Sequence, residues 1–202
     1  MHPSDKARLN DDRPEYTERL VTLSGRWWKR LLDVQRPYRW NLRRLEPGKT
    51  LEVGSGIGRK LKDLPAGSVG VDHNATSNET ARQGGMIAFT PEEFHVSKYA
   101  VKEGYDSILL SHILEHMTPE IGVELLREYL PYLRKDGKVI VFCPQEHGYT
   151  TDASHVTFMD PEKIIGVFDE VGIRTEKSYS FPFPRAFGKV FTHNEFNVIG
   201  KK

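Results

Sequence analysis

The stretch Lys49-Thr50-Leu51-Glu52-Val53-Gly54-Ser55-Gly56-Ile57-Gly58 decides how the rest of the chain is read. Thr50 to Val53 has the make-up of a buried strand, and it runs straight into three alternating glycines. That is the pattern of a tight strand-to-helix turn which lets a ligand approach the backbone closely. A second apolar run, Val69-Gly70-Val71-Asp72, ends on an acid. Working outward, strand and helix signals alternate. A short helix passes through Leu61 and Leu64. Helix is expected over residues 75–83, closed by Gly84-Gly85, and strand over 86–89. A fourth strand is expected over 107–110, then a helix over 119–133 stopped by Lys135-Asp136-Gly137. A fifth strand (138–143), a helix (161–171, ended by Gly172) and two last strands (173–181 and 196–199) complete the pattern. Strands separated by helices of this length predict an α/β fold, a doubly wound Rossmann-like sheet covered on both faces.

Composition sets the bounds. The 202 residues hold about one domain, 38% of them hydrophobic and 28% charged. A net charge of +1 argues against generic polyanion binding, so nucleic acid is not the favoured partner. The longest clean apolar stretch, Val139 to Cys143, is far short of the roughly 20 residues of a membrane span. No apolar signal core follows Met1, and the single cysteine, Cys143, fits a reducing compartment, so the expected location is cytoplasmic. Residues 1–48 read as an N-terminal arm and helical lid, and residues 49–202 as the main domain. Its segment 26–44 carries Arg26, Lys29, Arg30, Arg36, Arg39, Arg43 and Arg44 against one acid, Asp33, interleaved with Trp27, Trp28, Tyr38 and Trp40. It reads equally as a platform for sugars, bases or phosphates and as an amphipathic lid whose arginines stay wet.

The glycines alone serve two cofactor classes. A dinucleotide loop would want its third glycine where Arg59 stands. Glu52, two places before the first glycine, separates the classes further: a carboxylate is a poor neighbour for a pyrophosphate and a good one for an ammonium. S-adenosylmethionine (SAM) has an ammonium and a sulfonium and no phosphate. Asp72, at the end of the second strand, is placed to accept hydrogen bonds from both ribose hydroxyls. Each piece has a plainer alternative, the glycines as a mere turn and Asp72 as a helix cap.

Together, Leu51-Glu52-Val53-Gly54-Ser55-Gly56-Ile57-Gly58, Gly70-Val71-Asp72-His73 and Ser107-Ile108-Leu109-Leu110-Ser111-His112-Ile113-Leu114-Glu115-His116 resemble motifs I, II and IV of class I SAM-dependent methyltransferases, of the type 11/12-like kind. The resemblance covers about three quarters of the chain. It implies a seven-stranded sheet, mostly parallel, with an antiparallel last strand. It also implies cofactor contacts: Glu52, Gly54, Ser55 and Gly56 around the methionine part, and Asp72 and His73 at the ribose. Glu92, Glu93 or Phe94 would border adenine, and Ser111 and His112 would line the methyl-donor pocket.

The Asn/Asp-Pro-Pro-aromatic element that often marks nitrogen methylation in this family is replaced here by Ser111-His112-Ile113-Leu114-Glu115-His116. Hydroxyl acceptors need a base or a metal to help ionisation, and the chain concentrates candidates for both. His112, Glu115 and His116 stand at i, i+3 and i+4, one face of a helical turn. Glu146-His147 and Asp152-Ala153-Ser154-His155 follow the fifth strand. His147 is the preferred general base, with Glu115 and His116 as further catalytic candidates. The Glu115-His116 pair also resembles small-RNA 2′-O-methyltransferases. Those enzymes hold a divalent ion such as Mg²⁺ between a carboxylate, a Glu-His pair and a later histidine, which implies His112, Glu115, His116 and His155 as metal ligands here. An imidazole-rich set would also suit transition metals. The aromatic loop at residues 181–187, with Arg185 and Tyr149, is the expected specificity element. The resulting expectation is a SAM-dependent O-methyltransferase of a small or oligomeric polyhydroxylated acceptor, carbohydrate favoured. An RNA 2′-O-methyltransferase and a non-catalytic SAM-binding regulator are the alternatives.

Overall fold

The structure, a computed structural model, describes residues 35–202. Residues 1–34 of the expected N-terminal arm and helical lid lie outside the described residues. Contacts divide the chain into two compact units, residues 1–99 and 100–202.

In the first unit, helix α1 (Arg36–Arg44) precedes strand β1 (Thr50–Val53), followed by β2 (Val69–Val71), helix α2 (Ala75–Gln83), β3 (Ala88–Phe89) and helix α3 (Pro91–His95). β1 and β2 run parallel with Leu51 opposite Val69 and Glu52 opposite Gly70, and β2 runs parallel to β3. The short helix expected through Leu61 and Leu64 is only a 3-10 turn, Leu61–Asp63. Caps place the other helices. Asn74 accepts from the Ser77 amide at 3.0 Å to start α2. Thr90 and Glu93 close a capping box around α3, with Pro91 in its first turn. Leu51, Val69, Val71, Ala81, Ala88 and Phe94 are each buried to 1% exposure or less and form this unit's core.

The second unit holds β4 (Tyr105–Ser111), a 3-10 turn (Leu114–His116), α4 (Pro119–Tyr129), β5 (Leu133–Pro144), α5 (Glu146–Thr150), α6 (Pro161–Glu170), β6 (Arg174–Phe181) and β7 (Glu195–Lys201). β4 and β5 are parallel, while β7 runs antiparallel to both β5 and β6. α4 packs on α6, and α6 packs on β6 and β7. The seven strands take the sheet order β3-β2-β1-β4-β5-β7-β6. This is the mostly parallel sheet with an antiparallel last strand that the motifs implied.

The largest boundary differences from the sequence reading are at the end of α4 and the start of β5. α4 ends at Tyr129 rather than near 133, because Pro131 has no amide hydrogen to continue the ladder; a 3-10 turn, Leu130–Tyr132, follows. The Lys135-Asp136-Gly137 stop signal lies inside β5, where Asp136 adopts a positive φ of 59°. The β4–β5 register shifts between Tyr105 and Ser107, which absorbs the extra residues as a bulge. No helix among the described residues is long and apolar enough to cross a membrane.

Candidate functional site

In the first unit the glycine loop is built by backbone conformations that favour glycine. Gly54, Gly56 and Gly58 have φ of 76°, 51° and 78°. The Gly54 amide reaches the Val71 carbonyl at 2.8 Å. Asp72 braces the loop from beneath, its Oδ2 accepting from the Gly56 amide at 2.7 Å and its Oδ1 from the Asn74 amide at 2.9 Å. The residue expected only at the ribose therefore also sets the loop's shape. Each of its oxygens keeps a second lone pair. His73, with 43% of its side chain exposed, lies 3.7 Å from Asp72.

Glu52 is 2% exposed, and its Oε2 is buried without a hydrogen-bond partner. Burial pushes its carboxyl up to about 8, against the pull of the Lys60 charge, with the neighbouring Asp72 adding to the rise. Ser55 Oγ is a second buried, unpartnered polar atom in the loop. A carboxylate left in this state fits a cationic group and does not fit a phosphate. On this test the loop suits the ammonium of SAM.

Two of the three residues expected to border adenine are otherwise employed. Phe94 is fully buried in the core. Glu93 closes the α3 capping box and pairs with Arg82 at 3.2 Å. Its neighbour Glu92 titrates below the ordinary glutamate range, through hydrogen bonds with its own backbone and Thr90.

In the second unit, Ser111 ends β4 nearly buried, at 8% exposure. His112 does not continue into a helix: its φ is +57°, and only Leu114–His116 form a 3-10 turn. The shared helical face expected for His112, Glu115 and His116 is therefore absent. Instead the His112 ring bridges two carboxylates, with Nδ1 3.2 Å from Glu115 Oε1 and Nε2 2.9 Å from Glu195 Oε1. Partial burial works against charge on this ring, whose side chain stays 39% exposed, but the Glu115 and Glu195 carboxylates against its two nitrogens outweigh it and raise its pKa above the ordinary histidine range. A ring with both nitrogens held by carboxylates has no lone pair for a metal, so His112 leaves the expected ligand set. Glu115 is completely buried; burial alone would raise its carboxyl, and the His112 hydrogen bond and charge bring it below the usual value.

The structure does bring three expected residues together. Glu115, His116 and His155 each offer a ligand-type atom, all within 4.8 Å of one another. The His116 and His155 rings meet edge to face at 4.9 Å, and Tyr149 stacks on His155 at 5.2 Å. His147 is not part of that group; its Nδ1 lies 2.9 Å from Thr192 Oγ1. Arg185, expected to contact the acceptor, grips Glu146 with both guanidinium nitrogens and lies over the Phe196 ring at 4.8 Å.

Sequence reasoning missed Glu195, Asn194 and Gln145. Gln145 is fully buried, donating to Ser180 Oγ at 2.8 Å and accepting from Asn194 Nδ2 at 2.9 Å. Asn194 accepts from the Phe183 amide at 3.0 Å, which pins the aromatic loop. The partners lie up to 83 residues apart in the chain, so no local pattern announces them.

The architecture is that of class I SAM-dependent methyltransferases. By sequence, neither a family model nor a curated protein matches this chain. By structure it is similar to a SAM-dependent methyltransferase from Archaeoglobus fulgidus, at 18% identity and a TM-score of 0.64 over 88% of this chain and 100% of that one. It is similar also to magnesium protoporphyrin IX methyltransferase from Synechocystis with bound SAH (12% identity, TM-score 0.65, 96% of this chain and 97% of that one). A third structure, from Thermotoga maritima and described as a possible histamine N-methyltransferase, aligns at 20% identity and a TM-score of 0.64 over 92% of this chain and 97% of that one.

Proposed function

We propose that this protein is a SAM-dependent methyltransferase whose acceptor group is a hydroxyl of a small or oligomeric polyhydroxylated compound, carbohydrate first among these. The observation that carries the donor half is Glu52: a buried carboxyl with an unpartnered oxygen, below a loop of positive-φ glycines, in a methyltransferase fold. SAM, when bound, supplies a methyl group already activated by its sulfonium. Glu52 would hold its ammonium, the Gly54-Ser55-Gly56 segment its carboxylate end, and Asp72 its ribose.

The acceptor half rests on the second unit. Two imidazoles beside a buried carboxylate suit removal of a hydroxyl proton. The exposed rings of Phe183 and Phe187, 5.3 Å apart, are suited to sugar faces. Glu115, His116 and His155 also have the donor types of a divalent-ion site. Chelation followed by re-addition of Mg²⁺ tests that role, and turnover unchanged by either treatment removes it.

The deciding experiment follows methyl transfer from labelled SAM to sugars, lipids, RNA and small phenols. Labelled sugar supports the reading, and transfer confined to another class overturns its acceptor half. Full turnover in His147→Ala together with loss in His116→Gln assigns the proton to His116. The reverse result assigns it to His147. RNA as acceptor is favoured by one observation, the α1 surface where Arg44 lies 4.7 Å over the half-exposed Trp40 ring. Strongly salt-dependent oligonucleotide binding is its signature.

A further inference from the structure

Ser154 and Asp152 have no part in the readings above, yet they decide the state of His116. Ser154 Oγ lies 2.8 Å from Asp152 Oδ1 and 3.3 Å from His116 Nδ1. A hydroxyl has one proton to give, and an ionised carboxylate can only accept. The shorter, charge-assisted contact takes that proton. The longer contact can then be a hydrogen bond only if His116 Nδ1 is itself protonated and donates to the Ser154 oxygen. The arrangement is held in place locally, because the Ser154 amide also donates to Asp152 Oδ1 at 3.0 Å.

His155 is treated the same way by a different group. Its Nδ1 lies 2.7 Å from the Tyr149 carbonyl oxygen, which can only accept. Both contacts require the proton on Nδ1, so in the neutral form of each ring Nε2 is the acceptor. His147 has no such constraint, since the Thr192 hydroxyl 2.9 Å from its Nδ1 can either donate or accept.

We propose that Asp152 and Ser154 are positioning residues which lock His116 as its Nδ1–H tautomer, so that its Nε2 receives the proton of the methyl acceptor. In the step, the acceptor's O–H bond breaks and the proton passes to His116 Nε2. The oxygen's electron pair forms the new bond to the sulfonium methyl carbon, and the C–S pair leaves with the sulfur. The tautomer lock concerns the free protein. Only its catalytic consequence rests on the methyl-transfer reading.

The test is long-range ¹H–¹⁵N NMR of protein labelled in histidine, with the His116 signal assigned by its loss in His116→Gln. Wild type is expected to show His116 protonated on Nδ1. In Asp152→Ala the freed Ser154 proton turns to His116 Nδ1 and converts the ring to Nε2–H. In Ser154→Ala the lock is lost, and Ser154→Thr, which keeps the hydroxyl, restores it. With an acceptor in hand, Asp152→Ala should lower kcat about 100-fold and leave the KM for SAM unchanged, the scale of a misplaced general base. Circular dichroism on each variant separates these effects from unfolding. Finding Nε2–H at His116 in wild type, or an unchanged tautomer in Asp152→Ala, overturns the lock. A switched tautomer with undiminished kcat overturns the positioning role. Absence of turnover with every acceptor would sink the methyl-transfer reading while the tautomer result still decides the lock.

Discussion

Glu52 should release a proton when the donor binds, and the amount can be worked out in advance. Its carboxyl is pushed up to about 8 by burial. At pH 6.5 that leaves about 97% of the free protein protonated at this site, while an α-amino group is about 95% ammonium. Pairing the buried carboxylate with the ligand's ammonium favours the ionised form. If the paired carboxyl falls well below pH 6.5, net release is about 0.9 proton per SAH bound. Affinity should tighten about eightfold between pH 6 and 7, then flatten above pH 7 as Glu52 nears its own midpoint and the ligand's amine loses its charge. The assay is calorimetric titration at pH 6.5 in phosphate and in imidazole buffer, where the slope of apparent enthalpy against buffer ionisation enthalpy counts the protons. Methylthioadenosine, which lacks the amino-acid end, should release none. Glu52→Gln should bind SAH more weakly and also release none. Zero release with wild type, or the same release from Glu52→Gln, would refute the placement of the ammonium at Glu52.

The same group sets a pH dependence of stability. A carboxyl raised from 4.5 to about 8 holds its proton in the folded state after the unfolded chain has lost it. Stability therefore falls as pH rises from about 4.5 to 8, by about 5 kcal/mol in total. Urea denaturation across that range should show the fall in wild type and a much flatter profile in Glu52→Gln. Replacing His112 with Ala removes the ring between the Glu115 and Glu195 carboxylates, which are 0% and 6% exposed. The cost at pH 7 should lie near the low end of the roughly 3–5 kcal/mol of a broken buried pair, since the ring is partly wet, and its melting midpoint would show it. Asp72→Ala removes the acceptor for the Gly56 and Asn74 amides, so it should cost about 2–4 kcal/mol and weaken SAH binding by calorimetry. Gly188→Ala places a Cβ against the Gln145 side chain and should displace the aromatic loop. Changed amide signals of Phe183 and Phe187, with SAH affinity retained, are the expected result.

Much of the fold was legible because its signals are local. Leu51, Val53, Val69 and Val71 read as strand because apolar runs of that length bury on both faces. α2 matches the expected residues 75–83 because its stop, Gly84-Gly85, directly follows it in the chain; the Asn74 cap that starts it is seen only in the structure. The helix expected over 119–133 stops at Tyr129 because Pro131 cannot continue its hydrogen-bond ladder, although the apolar spacing runs on to Leu133.

The proposed donor side of the site follows from residue type alone. A carboxylate two places before a glycine loop and an acid ending the next strand are chemistry at fixed short spacing. Tertiary structure decided the rest. His112 was expected in a metal set, and it lies between two carboxylates because β7 brings Glu195 to it from 83 residues away. Ser154 and Asp152 acquire a role only because the chain returns after β5 to set a hydroxyl beside His116. Sequence spacing reports which groups share a turn or a strand. Protonation and tautomer depend on which groups face one another, and that is settled only when distant segments pack.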